Sequence, residues 1–260
     1  MRLDLNSVCK TYGEGAQAIT ALSEFSLEIC DNEFICIVGP SGCGKSTLLD
    51  IVAGLTEATS GEVLVDGEST GGKPHPKAGI IFQQDSTLPW RTVLENAEFG
   101  LEARHVSRQE RRAIAREMLG IVGLGGFEQR YPSELSGGMR QRVAIARTLA
   151  MKPDLILMDE PFGALDEQTR MVLGEELLNI WSHTQATVLF ITHSIEEAVL
   201  LSDRVVAMSA RPGRIMKIVD VDLGRPRDST VVSSDAFGDL RGQIWDIMRS
   251  EAMKSMEMQN

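Results

Sequence analysis

Nine consecutive residues, Gly39-Pro40-Ser41-Gly42-Cys43-Gly44-Lys45-Ser46-Thr47, combine what a polyphosphate requires of a protein. Glycines let successive backbone N–H groups turn inward on an anion, Lys45 adds a compact positive charge, and the Ser46 hydroxyl suits the shell of a Mg2+ ion. The apolar run Phe34-Ile35-Cys36-Ile37-Val38 enters this loop and the helix-like Leu48-Leu49-Asp50-Ile51-Val52-Ala53 leaves it. A strand therefore delivers the chain to a ligand at a helix N-terminus. A turn that only caps a helix requires neither Lys45 nor the hydroxyls after it, so the loop reads as a nucleotide site. Cys43 lies among the inward N–H groups and next but one to Lys45, a setting that predicts a lowered thiol pKa and a thiol covered by bound phosphates.

A second set of chemical groups closes the run Leu155-Ile156-Leu157-Met158-Asp159-Glu160. Short continuous apolar runs fit strands buried on both faces, and ligands of open parallel sheets sit at the C-terminal ends of such strands. Asp159 then reaches Mg2+, and Glu160 stands where a base orients the water that attacks a γ-phosphate. Between the two sets, Leu135-Ser136-Gly137-Gly138-Met139-Arg140-Gln141-Arg142 precedes the periodic Val143, Ile145, Ala146 and Leu149, a second glycine-rich loop opening a second helix. Two anion-binding helix ends imply two jobs.

That octet resembles the signature motif of the ATP-binding cassette (ABC) family, which in those proteins completes the nucleotide site of the opposing subunit. Further segments match family motifs in family order: Tyr12 in Val8-Cys9-Lys10-Thr11-Tyr12-Gly13 the aromatic that stacks on adenine, Gln83 in Ile80-Ile81-Phe82-Gln83-Gln84 the glutamine that touches Mg2+ and the transmembrane partner. Ala164-Leu165-Asp166 matches the D-loop, and His193 in Phe190-Ile191-Thr192-His193-Ser194 the switch histidine that contacts the γ-phosphate. Met139, Gln84 and Ser194 depart from the commonest residues at their positions, as importer branches of the family do.

Composition limits the alternatives. The chain has 260 residues, 43% of them apolar, enough for one large domain with an inserted subdomain. A formal charge of −11, from 26 basic and 37 acidic residues, leaves no basic footprint for nucleic acid or an anionic membrane. No stretch approaches the length of a membrane span, and the N-terminus lacks the apolar core of a signal peptide, so a cytosolic protein with borrowed membrane association is expected. Cys9, Cys30, Cys36 and Cys43 form no CxxC pair, and His75, His105, His183 and His193 have no metal-ligand spacing. No structural metal is expected.

The elements that position these residues follow from pattern. Residues 1 to about 86 alternate strand-like segments with turns, including Leu27-Glu28-Ile29-Cys30 and Glu62-Val63-Leu64-Val65 ahead of Asp66-Gly67, and Gly71-Gly72-Lys73-Pro74-His75-Pro76 is a loop. From about 87 to 145 the period is helical, with Ser107-Arg108-Gln109-Glu110 as a capping box and Ile114, Met118, Ile121 and Val122 on one face. Thr187-Val188-Leu189-Phe190-Ile191 and Val205-Val206-Ala207-Met208 resume the strands, a crossover helix is expected between Glu167 and Trp181, and Phe237, Leu240, Ile244 and Ile247 mark a packing helix in the tail. The expected fold is α/β: a P-loop NTPase (RecA-like) core with a parallel sheet, an N-terminal antiparallel β part and an inserted helical subdomain. The expected division is a nucleotide-binding domain over 1–230, with its helical subdomain at about 87–145, and a helical tail over 231–260.

Thr87-Leu88-Pro89-Trp90-Arg91-Thr92-Val93, Ala210-Arg211-Pro212-Gly213-Arg214-Ile215 and Gly224-Arg225-Pro226-Arg227 are similar to segments of the nitrate, sulfonate and taurine importer ATPases, although the two Arg-Pro segments alone read as solvated turns. The resemblance implies an ATP-hydrolysing motor for uptake of a small anion. It implies a homodimer with ATP and Mg2+ between its subunits, two transmembrane permease subunits, an extracytoplasmic solute-binding protein, no nucleic acid, and a place at the cytoplasmic face of the inner membrane. By the same resemblance Lys45, Glu160 and His193 act in hydrolysis. Tyr12, Gly39 to Thr47, and Ser136, Gly137 and Gly138 of the opposing subunit hold nucleotide, and Ser46, Gln83 and Asp159 hold the metal. The alternative is an ABC ATPase acting in DNA repair or on ribosomes; repair members carry a long coiled coil and ribosomal members two cassettes, features missing from this sequence. A monomeric P-loop kinase would have no use for the signature.

Overall fold

Asp66 and Gly67, at φ +51° and +82°, make the tight left-handed turn that folds strands β4 (Ser60–Val65) and β5 (Glu68–Ser69) into a hairpin. With β1 (Leu3–Tyr12) and β2 (Ile19–Ile29) they form a four-stranded antiparallel sheet in the order β2-β1-β4-β5. The computed structural model describes residues 1–84, 86–163 and 165–257, with only the backbone given for Ala16 and 252–257. Ala164 of the expected D-loop and the last residues of the expected tail, 258–260, lie outside the described residues.

The second sheet holds the chemistry. Strands β3 (Phe34–Val38), β6 (Ala78–Ile81), β7 (Leu155–Asp159), β8 (Thr187–Ile191), β9 (Arg204–Met208) and β10 (Ile215–Asp220) lie in the order β10-β9-β3-β8-β7-β6. Every pairing is parallel except that of β10, which returns antiparallel to β9. All residues of β3 and β8 are buried, which explains their unbroken apolar runs: both faces of the sheet are covered. Phe34, Cys36 and Val38 face one core with Phe162, Trp181 and Phe190, while Ile35 and Ile37 face a second with Leu3, Phe25 and Ile29 of the antiparallel sheet. The period of two in β3 thus joins two hydrophobic cores.

Helix α1 (Lys45–Val52) follows β3. Between β6 and β7 the chain leaves the sheet for α2 (Val93–Ala97), α3 (Phe99–Ala103), α4 (Arg108–Ile121) and α5 (Gly137–Ala150). Ser107 accepts the Glu110 N–H at 3.3 Å, one arm of the expected capping box, whereas the complete reciprocal box forms at Thr92 and Glu95. Met118 and Val122 are buried as expected, with Ile114 and Ile121 packed at the margin of the core. Helices α6 (Glu167–Thr184), α7 (Ile195–Leu201) and α8 (Asp235–Glu257) complete the layers, and Phe237 and Ile244 anchor α8 fully buried.

Candidate active site

The phosphate-type loop crosses from β3 to α1 through backbone that only glycine accepts without strain. Gly42 and Gly44 lie at φ +73° and +110°, and a Cβ on Gly44 would stand 2.8 Å from the Ala21 carbonyl oxygen and 3.0 Å from Leu22 Cδ2. Gly39 is small for another reason: its Cβ would lie 2.8 Å from Cys43 Sγ. Lys45 is 7% exposed, and its Nζ donates to the carbonyls of Gly39 at 2.9 Å and Pro40 at 3.1 Å. Above the loop opens a cleft of about 510 Å3 lined by Ser41, Gly42 and the first residues of α1, with Tyr12 and Ile19 at its wall. Tyr12 ends β1 and is 44% exposed, with Lys10 Nζ 5.0 Å from its ring centre.

Cys43 corrects the sequence expectation. Its side chain is 1% exposed and belongs to the core beneath the loop, so burial pushes the thiol pKa up, against the smaller downward pulls of Lys45 and Arg211. The N–H groups and the side chain of one residue point in different directions, and here the side chain faces the sheet.

The two carboxylates at the end of β7 serve one cleft because the strand's alternation stops between them. Glu160 adopts φ +44°, a left-handed conformation that costs a non-glycine residue about a kcal/mol or more and recurs at functional sites. Its N–H donates to Ile191 O at 2.9 Å, and its Oε2 accepts from Gln83 Nε2 at 3.0 Å and meets His193 Nδ1 at 3.3 Å. Glu160 and Gln83 line the same cleft as Lys45 and Ser46. Asp159 Oδ1 is buried without a hydrogen-bond partner. Burial raises the Asp159 pKa, a hydrogen bond with Ser46 lowers it, and the nearby charges of Glu160 and Asp50 raise it again. An unpartnered carboxylate oxygen beside a serine hydroxyl fits a hard divalent cation such as Mg2+, which takes few protein ligands and completes its shell with phosphate and water.

His193 leaves β8 at the start of a well-tied corner. Ser194 caps α7 by accepting the Glu197 N–H at 3.3 Å, and Arg170 of α6 holds Glu197 at 3.2 Å. Gln83 follows β6 in a segment joined to α5, where Gln141 Nε2 donates to Phe82 O at 2.9 Å. Ser136 caps α5, accepting the Met139 N–H at 3.3 Å, and a Cβ on Gly138 would lie 2.7 Å from Leu165 Cδ2. Within one chain, Ser136, Gly137 and Gly138 do not line the cleft of Lys45 and Glu160.

Two arginine features escaped sequence reasoning, which read the Arg-Pro segments as marks of resemblance to importer ATPases, with solvated turns as the alternative, and gave their arginines no role in the site. Arg211 donates from Nε and Nη2 to Gly42 O at 3.3 and 3.2 Å and lines the cleft. Arg227 is 6% exposed and donates to carbonyls at the end of α7, while Arg225 stacks 4.2 Å over Trp181 and binds Asp203 at 2.7 Å.

The family model described as ABC transporter matches residues 22–163. The chain is 50% identical to the uncharacterized ABC transporter ATP-binding protein MJ0412 of Methanocaldococcus jannaschii, over 99% of this chain and 95% of that protein. It is 45% identical to the aliphatic sulfonates import ATP-binding protein SsuB of Bacillus thuringiensis, over 94% of each. Among solved structures it resembles the dimeric ATP-binding cassette MJ0796 in a post-hydrolysis state bound to ADP and Pi, with TM-score 0.78 and 35% identity over 85% of this chain and 100% of that one.

Proposed function

The chain belongs to the ABC transporter family and is an ABC-type, ATP-binding ATPase, and from that premise we propose that it is the motor subunit of an importer for a small sulfonate-type anion. The observation that carries its hydrolytic part is Glu160 Oε2, held between Gln83 at 3.0 Å and His193 at 3.3 Å on the wall of the Lys45 cleft, while the import of a sulfonate-type anion is supported by the sulfonate importer relative. Lys45, the loop amides, Ser41 and Thr47 bind the phosphates, and Tyr12 offers its ring to adenine. Mg2+ held by Ser46, Asp159 and Gln83 would neutralise charge on the β- and γ-phosphates. Glu160 orients a water and accepts its proton as the water oxygen bonds to the γ-phosphorus and the bond to the β–γ bridging oxygen breaks; His193 holds the γ-phosphate and the Glu160 carboxylate in register.

Two such chains pair so that Ser136, Gly137 and Gly138 of each, at the N-terminus of α5, face the γ-phosphate bound by the other. The dimeric cassette that this chain resembles supports that arrangement. Two permease subunits and an extracytoplasmic solute-binding protein complete the assembly, a reading supported by the sulfonate importer relative. No described helix is long and apolar enough to cross a membrane, so attachment to the cytoplasmic face of the inner membrane would come from the permease. Trp90, 72% exposed beside Arg91 in a groove of the helical subdomain, offers the permease an aromatic contact.

Mixing two inactive variants tests the composite site. Ser136→Arg homodimers and Lys45→Ala homodimers should both lack hydrolysis, whereas their heterodimer should hydrolyse ATP at its one site with an intact loop and an intact signature. Absence of activity in every mixture would contradict the pairing.

A further inference from the structure

Arg211 lies outside every segment identified with nucleotide chemistry, yet the fold carries it to the phosphate loop. The loop between β9 and β10 is pinned to β2, since Gly213 N–H donates to Ala21 O at 2.8 Å and Gly213 O accepts from Ser23 N–H at 3.1 Å. It also packs backbone to backbone on the phosphate loop: a Cβ on Gly213 would stand 2.3 Å from Cys43 O. Ser209 stiffens the turn, its Oγ donating to Pro212 O at 2.9 Å and accepting from Arg214 N–H at 3.0 Å. From this anchored turn the Arg211 guanidinium reaches over Gly42, where the missing Cβ leaves room; one placed there would be 3.4 Å from Nη2.

Three observations give this guanidinium a ligand to meet. Nε and Nη2 share the single Gly42 carbonyl, at 3.3 and 3.2 Å, so the planar fork is oriented while Nη1 makes no hydrogen bond within the described chain. Lys45 and Arg211 are the cations that line the cleft, and Lys45 is buried with its Nζ on two loop carbonyls whereas Arg211 is exposed. The charge also acts through the loop, because Arg211 is among the groups that pull the Cys43 thiol pKa down against its burial. In a chain of formal charge −11, an exposed cation fixed at the cleft is the group that would draw in a polyphosphate.

We propose that Arg211 is a nucleotide-binding residue, anchored on Gly42 by Nε and Nη2 and donating from Nη1 to the phosphate chain of the bound nucleotide. The assignment rests on placing the nucleotide in this cleft. Arginine suits the task because its fork can hold a carbonyl and a phosphate oxygen at once.

The test is titration of wild type, Arg211→Ala, Arg211→Lys and Lys45→Ala with a fluorescent ATP analogue, followed by displacement with inorganic tripolyphosphate, which has neither base nor sugar. Arg211→Ala should weaken both ligands about tenfold, as expected for loss of one charge-assisted contact. Its KM for ATP should rise in step, kcat should stay within about twofold, and the thermal midpoint should not move because the side chain is exposed. Arg211→Lys should recover tripolyphosphate binding in part, since the charge remains and the fork is lost. Tripolyphosphate affinity within about twofold of wild type in Arg211→Ala would overturn the assignment. Failure of tripolyphosphate to displace nucleotide from wild type would instead remove the placement of the nucleotide, and the Lys45→Ala control would then be equally silent.

Discussion

Replacing Arg227 with methionine should cost the protein roughly 4 kcal/mol and lower its thermal midpoint by about 10 °C. Arg227 is 6% exposed, and burial, joined by the neighbouring Arg225 charge, lowers its pKa from the ordinary 12.5 to about 10, a cost of roughly 3 kcal/mol to the charged form. The fork offsets that cost by donating to the Val199, Leu200 and Ser202 carbonyls from Nη1 and to those of Val221 and Leu223 from Nη2. Methionine fills the same channel without a donor, so the desolvation cost disappears but the five carbonyls are stranded at about 1.5 kcal/mol each, which leaves a net loss of roughly 4 kcal/mol. Three of the acceptors close the C-terminal end of α7, the helix that begins just after His193. Loosening that end should lower kcat for ATP hydrolysis while the Kd for ATP changes little. Arg227→Lys keeps the charge with fewer donors and should lose about half as much stability. Circular dichroism melts check the first number, and a midpoint within 2 °C of wild type in Arg227→Met would refute the claim that this side chain clamps the end of α7.

Maleimide should label the exposed Cys30 and spare Cys43 in the folded protein, leaving ATP hydrolysis intact, because Cys43 is buried and its thiol pKa is raised; peptide mapping after brief labelling decides this. Asp159→Asn should abolish Mg2+-dependent hydrolysis and yet raise the thermal midpoint of the protein without nucleotide by a few degrees. The sign follows from the raised folded-state pKa of Asp159: above the ordinary 3.8 the folded state binds the proton more tightly than the unfolded one, so this group's contribution falls as pH rises. The advantage of asparagine should therefore be largest near pH 7 and vanish as the pH approaches 4, and an advantage that grows on acidification would contradict the burial of Asp159.

Strands β3, β7 and β8 were legible almost to the residue, because a strand covered on both faces writes itself as an unbroken apolar run. Strand β1 was not, since register shifts and the left-handed Ser7 at φ +46° interrupt its alternation. The loop from Gly39 to Thr47, together with Gln83, Glu160 and His193, was found through local motifs, each of which sits at the end of one strand. Arg211 and Arg227 could not be found in that way. Arg211 acts on Gly42, 169 positions away in sequence, and Arg227 acts on carbonyls of a helix, so neither role leaves a local pattern. Cys43 shows the converse limit: its position in the loop was evident, but the direction of its side chain depends on packing against the core.

The role proposed for Glu160 is to orient the attacking water in a site closed by a second copy of the chain. Size-exclusion chromatography with light scattering on Glu160→Gln, with and without ATP, measures it most directly, because the amide keeps the shape of the carboxylate and cannot accept the proton. The expected result is no steady-state hydrolysis, ATP affinity near that of wild type, and a dimer that appears with ATP and dissolves when ATP is removed. Wild-type turnover in this variant, or a monomer at every ATP and protein concentration, would contradict it.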